Sequence, residues 1–171
     1  NDSFGGTGTV AVSSTLYAGQ GNDTVAFATG ATSSRIFLGQ GNDFFSGGAA
    51  AFAANTISGG DGNDTIVGAE DDALLSGGAD SDTLQIAATF NDTGDGQITG
   101  IETVVLTTDG LNLNLGDQTD GFTITTANGA NTVVGSQGVD SITGGTGADS
   151  IDGGLGADII KTGTGNDTIV G

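Results

Sequence analysis

At 171 residues the chain has the length of one domain, yet it carries 34 glycines and no proline, cysteine, methionine, tryptophan or histidine. Its 21 acidic residues face two basic ones, Arg35 and Lys161, for a formal net charge of −19; that charge repels nucleic acid and anionic membranes and makes dissolved cations the natural partner of a compact state. The absence of histidine excludes Ser-His-Asp catalysis and imidazole metal ligation, the absence of cysteine leaves no disulfide framework, and no apolar run reaches the length of a membrane span.

The N-terminal half is repetitive. "AGQGNDTVA" from Ala18, "LGQGNDFFS" from Leu38, "GGDGNDTIV" from Gly59 and "GGADSDTLQ" from Gly77 align Asp23, Asp43, Asp64 and Asp82 at spacings of 20, 21 and 18 residues. Asn1 to Phe4 reads as the tail of a further copy. Between the copies lie segments of glycine, serine, threonine and alanine, each ending in a short apolar strand. Each period is read as one coil of a solenoid over residues 1–86, with a glycine-aspartate turn on one side and a more variable turn on the other. Although charge and glycine favour disorder, apolar residues make up 35% of the chain in regularly placed short runs, which argues for folding once the charge is neutralised.

The middle, residues 87–131, lacks this turn but alternates as strands do, in "ETVVL", then Leu111, Leu113 and Leu115 separated by asparagines, then Phe122 and Ile124 between threonines. The 58 residues from Asp82 to Asp140 are close to three coils, so the solenoid is expected to continue without acidic turns, or to give way to a small β insertion. "NDTGDGQITGIE" matches an EF-hand loop at Asn91, Thr93, Asp95, Gly96, Ile98 and Glu102, but its flanks read as strand, favouring a polar turn. "EDDA" at Glu70 to Ala73 reads as a solvated turn, and Tyr17 with the eight phenylalanines as core filling.

From residue 132 the period becomes nine: "GSQGVDSIT", "GGTGADSID", "GGLGADIIK" and "TGTGNDTIV" place Asp140, Asp149, Asp158 and Asp167 in one column and Ile142, Ile151, Ile160 and Ile169 two positions later. Both ends cut into repeat units, so the chain is expected to be part of a longer array, and no cap covers the terminal coils.

Hard divalent ions such as calcium take about six to eight oxygen ligands, which glycine-turn carbonyls and an aspartate can supply. Stacked coils about 4.8 Å apart bring neighbouring aspartates together, and each pair repels by roughly 1 kcal/mol in water and more in a poorer dielectric. An ion between successive turns removes that repulsion, so binding and folding are one event. The isoleucine or valine two residues after each aspartate plugs a narrow interior.

The glycine, aspartate and apolar columns resemble the RTX (repeats in toxin) nonapeptide Gly-Gly-x-Gly-x-Asp-x-apolar-x. The resemblance implies a parallel β-roll, several bound calcium ions, and secretion in an unfolded state followed by folding outside the cell. It implies as ligands Asp23, Asp43, Asp64, Asp82, Asp140, Asp149, Asp158 and Asp167, with the turns of Gly19, Gly21, Gly39, Gly41, Gly60, Gly62, Gly145, Gly147, Gly154, Gly156, Gly163 and Gly165. The pattern departs at Ala18, Leu38 and Thr162 for the first glycine, Ser136 for the second and Asp80 for the third. The long N-terminal period places sites on one side of the coil, the nine-residue period on both.

The resulting expectation is a non-enzymatic, calcium-stabilised structural or adhesive module of a secreted bacterial cell-surface or surface-layer protein. Lateral self-association or a cell-surface polysaccharide would be further partners. The alternatives are the secretion and folding module of an extracellular enzyme, or a surface- or ice-recognition array built on Asn22, Asn42, Asn63 and Asn166.

Overall fold

The computed structural model describes residues 1–6, 13–27, 33–47, 54–68, 71–92 and 94–170, and every regular element among them is a β-strand. The chain divides into unit 1, Asn1–Leu84 with Gln97–Ile101, and unit 2, Gln85–Gly96 with Glu102–Gly171.

Unit 1 is a parallel β-solenoid. One wall holds Thr15–Gln20, Arg35–Gln40, Thr56–Asp61, Leu74–Ala79 and Ile98–Thr99. The other holds Ser3–Gly6, Thr24–Phe27, Phe44–Ser46, Thr65–Gly68 and the start of Thr83–Ile86. Each strand pairs with its counterpart one coil on, so that Leu16, Ile36, Ile57, Leu75 and Ile98 share one row and Phe4, Val25, Phe45 and Ile66 another. The alternation of side chains along a strand sends one residue in two inward, which is why single apolar positions recurring once per half-coil suffice for a core. Val25, Ile36, Phe45, Ile57, Ile66, Leu75 and Leu84 are all buried, each burial contributing about 1.5–3 kcal/mol relative to exposure.

Unit 2 repeats the plan with shorter strands. One wall holds Thr103–Leu106, Thr123–Thr125, Ser141–Thr143 and Ile159–Lys161. The other holds Phe90–Asn91, Asn112–Asn114, Thr132–Val134, Ser150–Asp152 and Thr168–Val170. Leu113 of the middle segment lies in register with Val133, and Ile124 with Ile142, so coils without acidic turns stack on coils that have them. The fold is all-β, a parallel β-solenoid of the β-roll type, with the apolar residue after each aspartate on the inside as far as Ile151.

Two sequence expectations are corrected. Tyr17 is 71% exposed and stacks on half-buried Phe37 at 5.1 Å instead of filling the core. In "EDDA", Asp71 is exposed but Asp72 is buried, accepting from Asn55 Nδ2 at 3.1 Å; Glu70 lies outside the described residues. In the EF-hand-like stretch the expected strand flanks are present, Phe90–Asn91 before it and Thr103–Leu106 after it, in keeping with a polar turn; Thr93 lies outside the described residues.

Candidate metal centre

The aspartates of unit 1 form a ladder up the inside of the turns. Asp2 N–H donates to Asp23 Oδ1 at 2.5 Å, Asp23 N–H to Asp43 Oδ1 at 2.7 Å, Asp43 N–H to Asp64 Oδ1 at 2.8 Å and Asp64 N–H to Asp82 Oδ1 at 2.7 Å. Asp23, Asp43, Asp64 and Asp82 are all at least 97% buried. One oxygen of each carboxylate is thereby spent on the preceding coil. The other, Oδ2 of Asp23, Asp43 and Asp64, is buried and accepts no hydrogen bond. Buried carboxylate oxygens without donors are costly, and a cation is the partner that removes the cost.

The electrostatics agree. Burial pushes the Asp64 carboxyl up to about 7 from an ordinary 3.8; the Asp43 amide opposes the shift, while the Asp43 and Asp82 carboxylates add to it. Burial likewise raises Asp43 and Asp140, opposed by the amides that bond to them.

In unit 2 the nonapeptides alternate between two ladders. Phe122 N–H donates to Asp140 Oδ1 at 2.7 Å and Asp140 N–H to Asp158 Oδ1 at 2.9 Å; Asn131 N–H donates to Asp149 Oδ1 at 2.8 Å and Asp149 N–H to Asp167 Oδ1 at 3.0 Å. The rung is 18 residues, two nonapeptides, so each coil carries one acidic turn on either side. Here Oδ2 has donors of its own, Ser136 N–H and Oγ–H for Asp140 at 2.7 and 3.0 Å and Gly145 N–H for Asp149 at 3.2 Å. Asp140 and Asp149 are buried, whereas Asp158 and Asp167 are half-buried.

The glycines shape this cradle. Gly19, Gly21, Gly39, Gly41, Gly60, Gly62, Gly154, Gly156, Gly163 and Gly165 all have φ between +86 and +148°, the left-handed region, whereas Gly145 and Gly147 do not. At Gly39, φ is +115° and a Cβ would fall on the Gly19 carbonyl oxygen, so both conformation and coil spacing demand glycine. The first glycine has a different cause: a Cβ at Gly59 would collide with Asp64 Oδ2. Asp80 takes the left-handed conformation with φ 79° in place of the third glycine.

The turns of unit 1 fit a hard cation, with one carboxylate oxygen per rung left without a hydrogen bond at Asp23, Asp43 and Asp64. Among the described residues no group of three or more acidic side chains converges, so carbonyls would have to make up the shell. A family model described as the RTX calcium-binding nonapeptide repeat matches residues 13–33, 27–51, 52–84, 125–160 and 152–171, well over half of the chain. The chain belongs to the RTX calcium-binding nonapeptide repeat family. No curated protein matches it. The RTX matches leave out residues 85–124, where the turn aspartates are missing.

Two further RTX-coil ladders escaped the sequence reading. Asn42 N–H donates to Asn22 Oδ1, Asn63 N–H to Asn42 Oδ1 and Ser81 N–H to Asn63 Oδ1, at 3.0, 3.0 and 3.1 Å. The asparagine oxygen thus reaches the following coil while the adjacent aspartate reaches the preceding one, so each Asn-Asp pair stitches a turn to both neighbours. On the far side of unit 1, Ser14 N–H donates to Ser34 Oγ at 3.3 Å and Ser34 N–H to Asn55 Oδ1 at 2.9 Å, with Asp72 next. The signal was present: Ser34 and Asn55 precede buried Ile36 and Ile57 by two residues, as Asp64 precedes Ile66. Asp61 is exposed, and accepts from Gln40 Nε2 at 3.1 Å in an outer amide ladder.

Proposed function

We propose that this RTX module is a non-enzymatic, calcium-stabilised structural or adhesive element of a secreted bacterial cell-surface protein, folding on calcium binding after export. The observation that carries the reading is the row of buried Oδ2 atoms of Asp23, Asp43 and Asp64, which accept no hydrogen bond. The ions would be held by Asp23, Asp43, Asp64 and Asp82 on one side of unit 1 and by Asp140, Asp149, Asp158 and Asp167 on both sides of unit 2. Carbonyls of the turns at Gly19, Gly21, Gly39, Gly41, Gly60, Gly62, Gly145, Gly147, Gly154, Gly156, Gly163 and Gly165 would complete the shells. Bound calcium supplies positive charge between carboxylates that otherwise repel.

The reading accounts for the acidic composition without a catalytic group. In a cytosol poor in calcium the repulsive column keeps the chain open for export, and a calcium-rich exterior closes it. The exposed asparagine column supports structure rather than lattice recognition, because its Oδ1 atoms are occupied by backbone amides of adjacent coils. Immunolabelling of intact source cells with antibodies against the calcium-folded chain tests the assignment. Surface labelling that a chelator wash removes is expected. Antigen found only in the medium, co-purifying with a hydrolytic activity, would instead mark the folding module of an exoenzyme.

A further inference from the structure

One buried polar constellation belongs to none of the nonapeptide turns. It lies in unit 2, where Phe90 and Asn91 pair with Leu113 and Asn114 of the next coil and Asp92 N–H donates to the Asn114 carbonyl at 2.9 Å. Below Asp92, Gln118 is completely buried. Its Nε2 donates to Asp92 Oδ2 at 3.0 Å and to the Gly94 carbonyl at 3.2 Å, while its Oε1 is buried and accepts nothing. Thr119 N–H and Oγ–H both donate to Asp95 Oδ1, at 2.8 and 2.9 Å, which pins the 94–96 loop over this turn.

The place in the repeat matters. Phe122 occupies the rung above Asp140 and Asp158, so this coil has lost its turn carboxylate. Gln118 stands four residues before Phe122, as Ser136 stands four before Asp140, and it returns oxygen chemistry to a turn whose column residue is apolar.

A glutamine amide has a donating and an accepting end, and this packing satisfies only the first. Leaving a buried acceptor unsatisfied costs about 1–3 kcal/mol. Turning the amide over would place Oε1 where Nε2 now sits, beside a carboxylate oxygen and a carbonyl oxygen. Oε1 would then stand about 3 Å from each of these two oxygens and be repelled by both unless a cation lies between them, and that spacing is compatible with calcium–oxygen distances of roughly 2.3–2.6 Å.

We propose that Asp92, Gln118 and the Gly94 carbonyl form an additional calcium site, distinct from the nonapeptide turns, entered with reversal of the Gln118 amide. It goes beyond the function proposed for the repeats and adds one ion to their complement.

The test counts bound calcium per folded chain by equilibrium dialysis for wild type and Gln118→Leu, which swaps the amide for an apolar side chain of similar reach. Loss of one ion per chain is expected, and an unchanged count overturns the site while leaving the repeat sites standing. A wild type that binds no calcium at all would overturn both readings. Independently of whether the variant folds, crystals of wild type grown with terbium in place of calcium should show an anomalous peak within ligand distance of Asp92 and Gln118. Water or empty density at that point overturns the proposal.

Discussion

Asp64 concentrates the energetics of the turn: a fully enclosed carboxylate with one oxygen committed to the Asp43 amide and the other to no hydrogen bond. Asp64→Asn retains an oxygen for the Asp43 amide while removing the charge and replacing the unpartnered Oδ2 by an amide nitrogen. Without calcium it is therefore expected to lower the osmolyte concentration needed to fold the chain at pH 8, and with calcium to raise the calcium concentration needed for half-folding, roughly tenfold; osmolyte titrations in chelator and calcium titrations of both proteins check the two opposite signs. The pH dependence follows from the same group. Its folded pKa is raised to about 7 from 3.8, so the folded state binds the extra proton between those values. In chelator its contribution to stability is full below about 3.8 and is lost as pH rises through about 7, so less stabilising osmolyte should be needed to fold the calcium-free chain at pH 5 than at pH 8. In calcium, protons compete with the ion and the trend should reverse. The aspartate and isoleucine columns were legible in the sequence because identical residues recur at fixed spacing. Asp72, Gln118 and the exposure of Tyr17 were not, because each depends on what a different residue type does one coil away, across separations of 17 to 26 residues.

At the level of the coil, stability rests on close backbone approach at the turn and on side-chain ladders between turns. Gly39→Ala should destabilise calcium-loaded protein by at least about 1–2 kcal/mol, since it forces a left-handed alanine and a collision with the Gly19 carbonyl. Gly96→Ala, where a Cβ meets nothing within 4 Å, should be close to neutral by the same denaturant unfolding measurement. Equal effects would sever the link between turn geometry and stability. Breaking one rung of the asparagine ladder with Asn42→Ala removes the acceptor of the Asn63 amide and should cost about 0.5–1.5 kcal/mol. Strand positions and the inward face were readable from the alternation of single apolar residues. The direction of the ladders was not, because Asn and Asp adjoin in sequence yet bond to opposite neighbours.

For the whole chain, a net charge of −19 against two basic residues opposes compaction, and burial of part of that charge in columns makes screening by monovalent salt insufficient. Folding of this RTX chain should therefore be linked to an ion that enters the columns, and magnesium, which dehydrates reluctantly and demands octahedral geometry, should replace calcium poorly. The β-solenoid class was legible from the repeat and the family resemblance; the division at residue 84, with Gln97–Ile101 returning to unit 1, carries no repeat signature that would have announced it. The most direct measurement is a calcium titration of the chelator-stripped chain followed by far-ultraviolet circular dichroism and sedimentation velocity, with magnesium in parallel. The account predicts a cooperative gain of β signal together with a fall in hydrodynamic radius in calcium alone; the same compact β state in chelator as in millimolar calcium would contradict it.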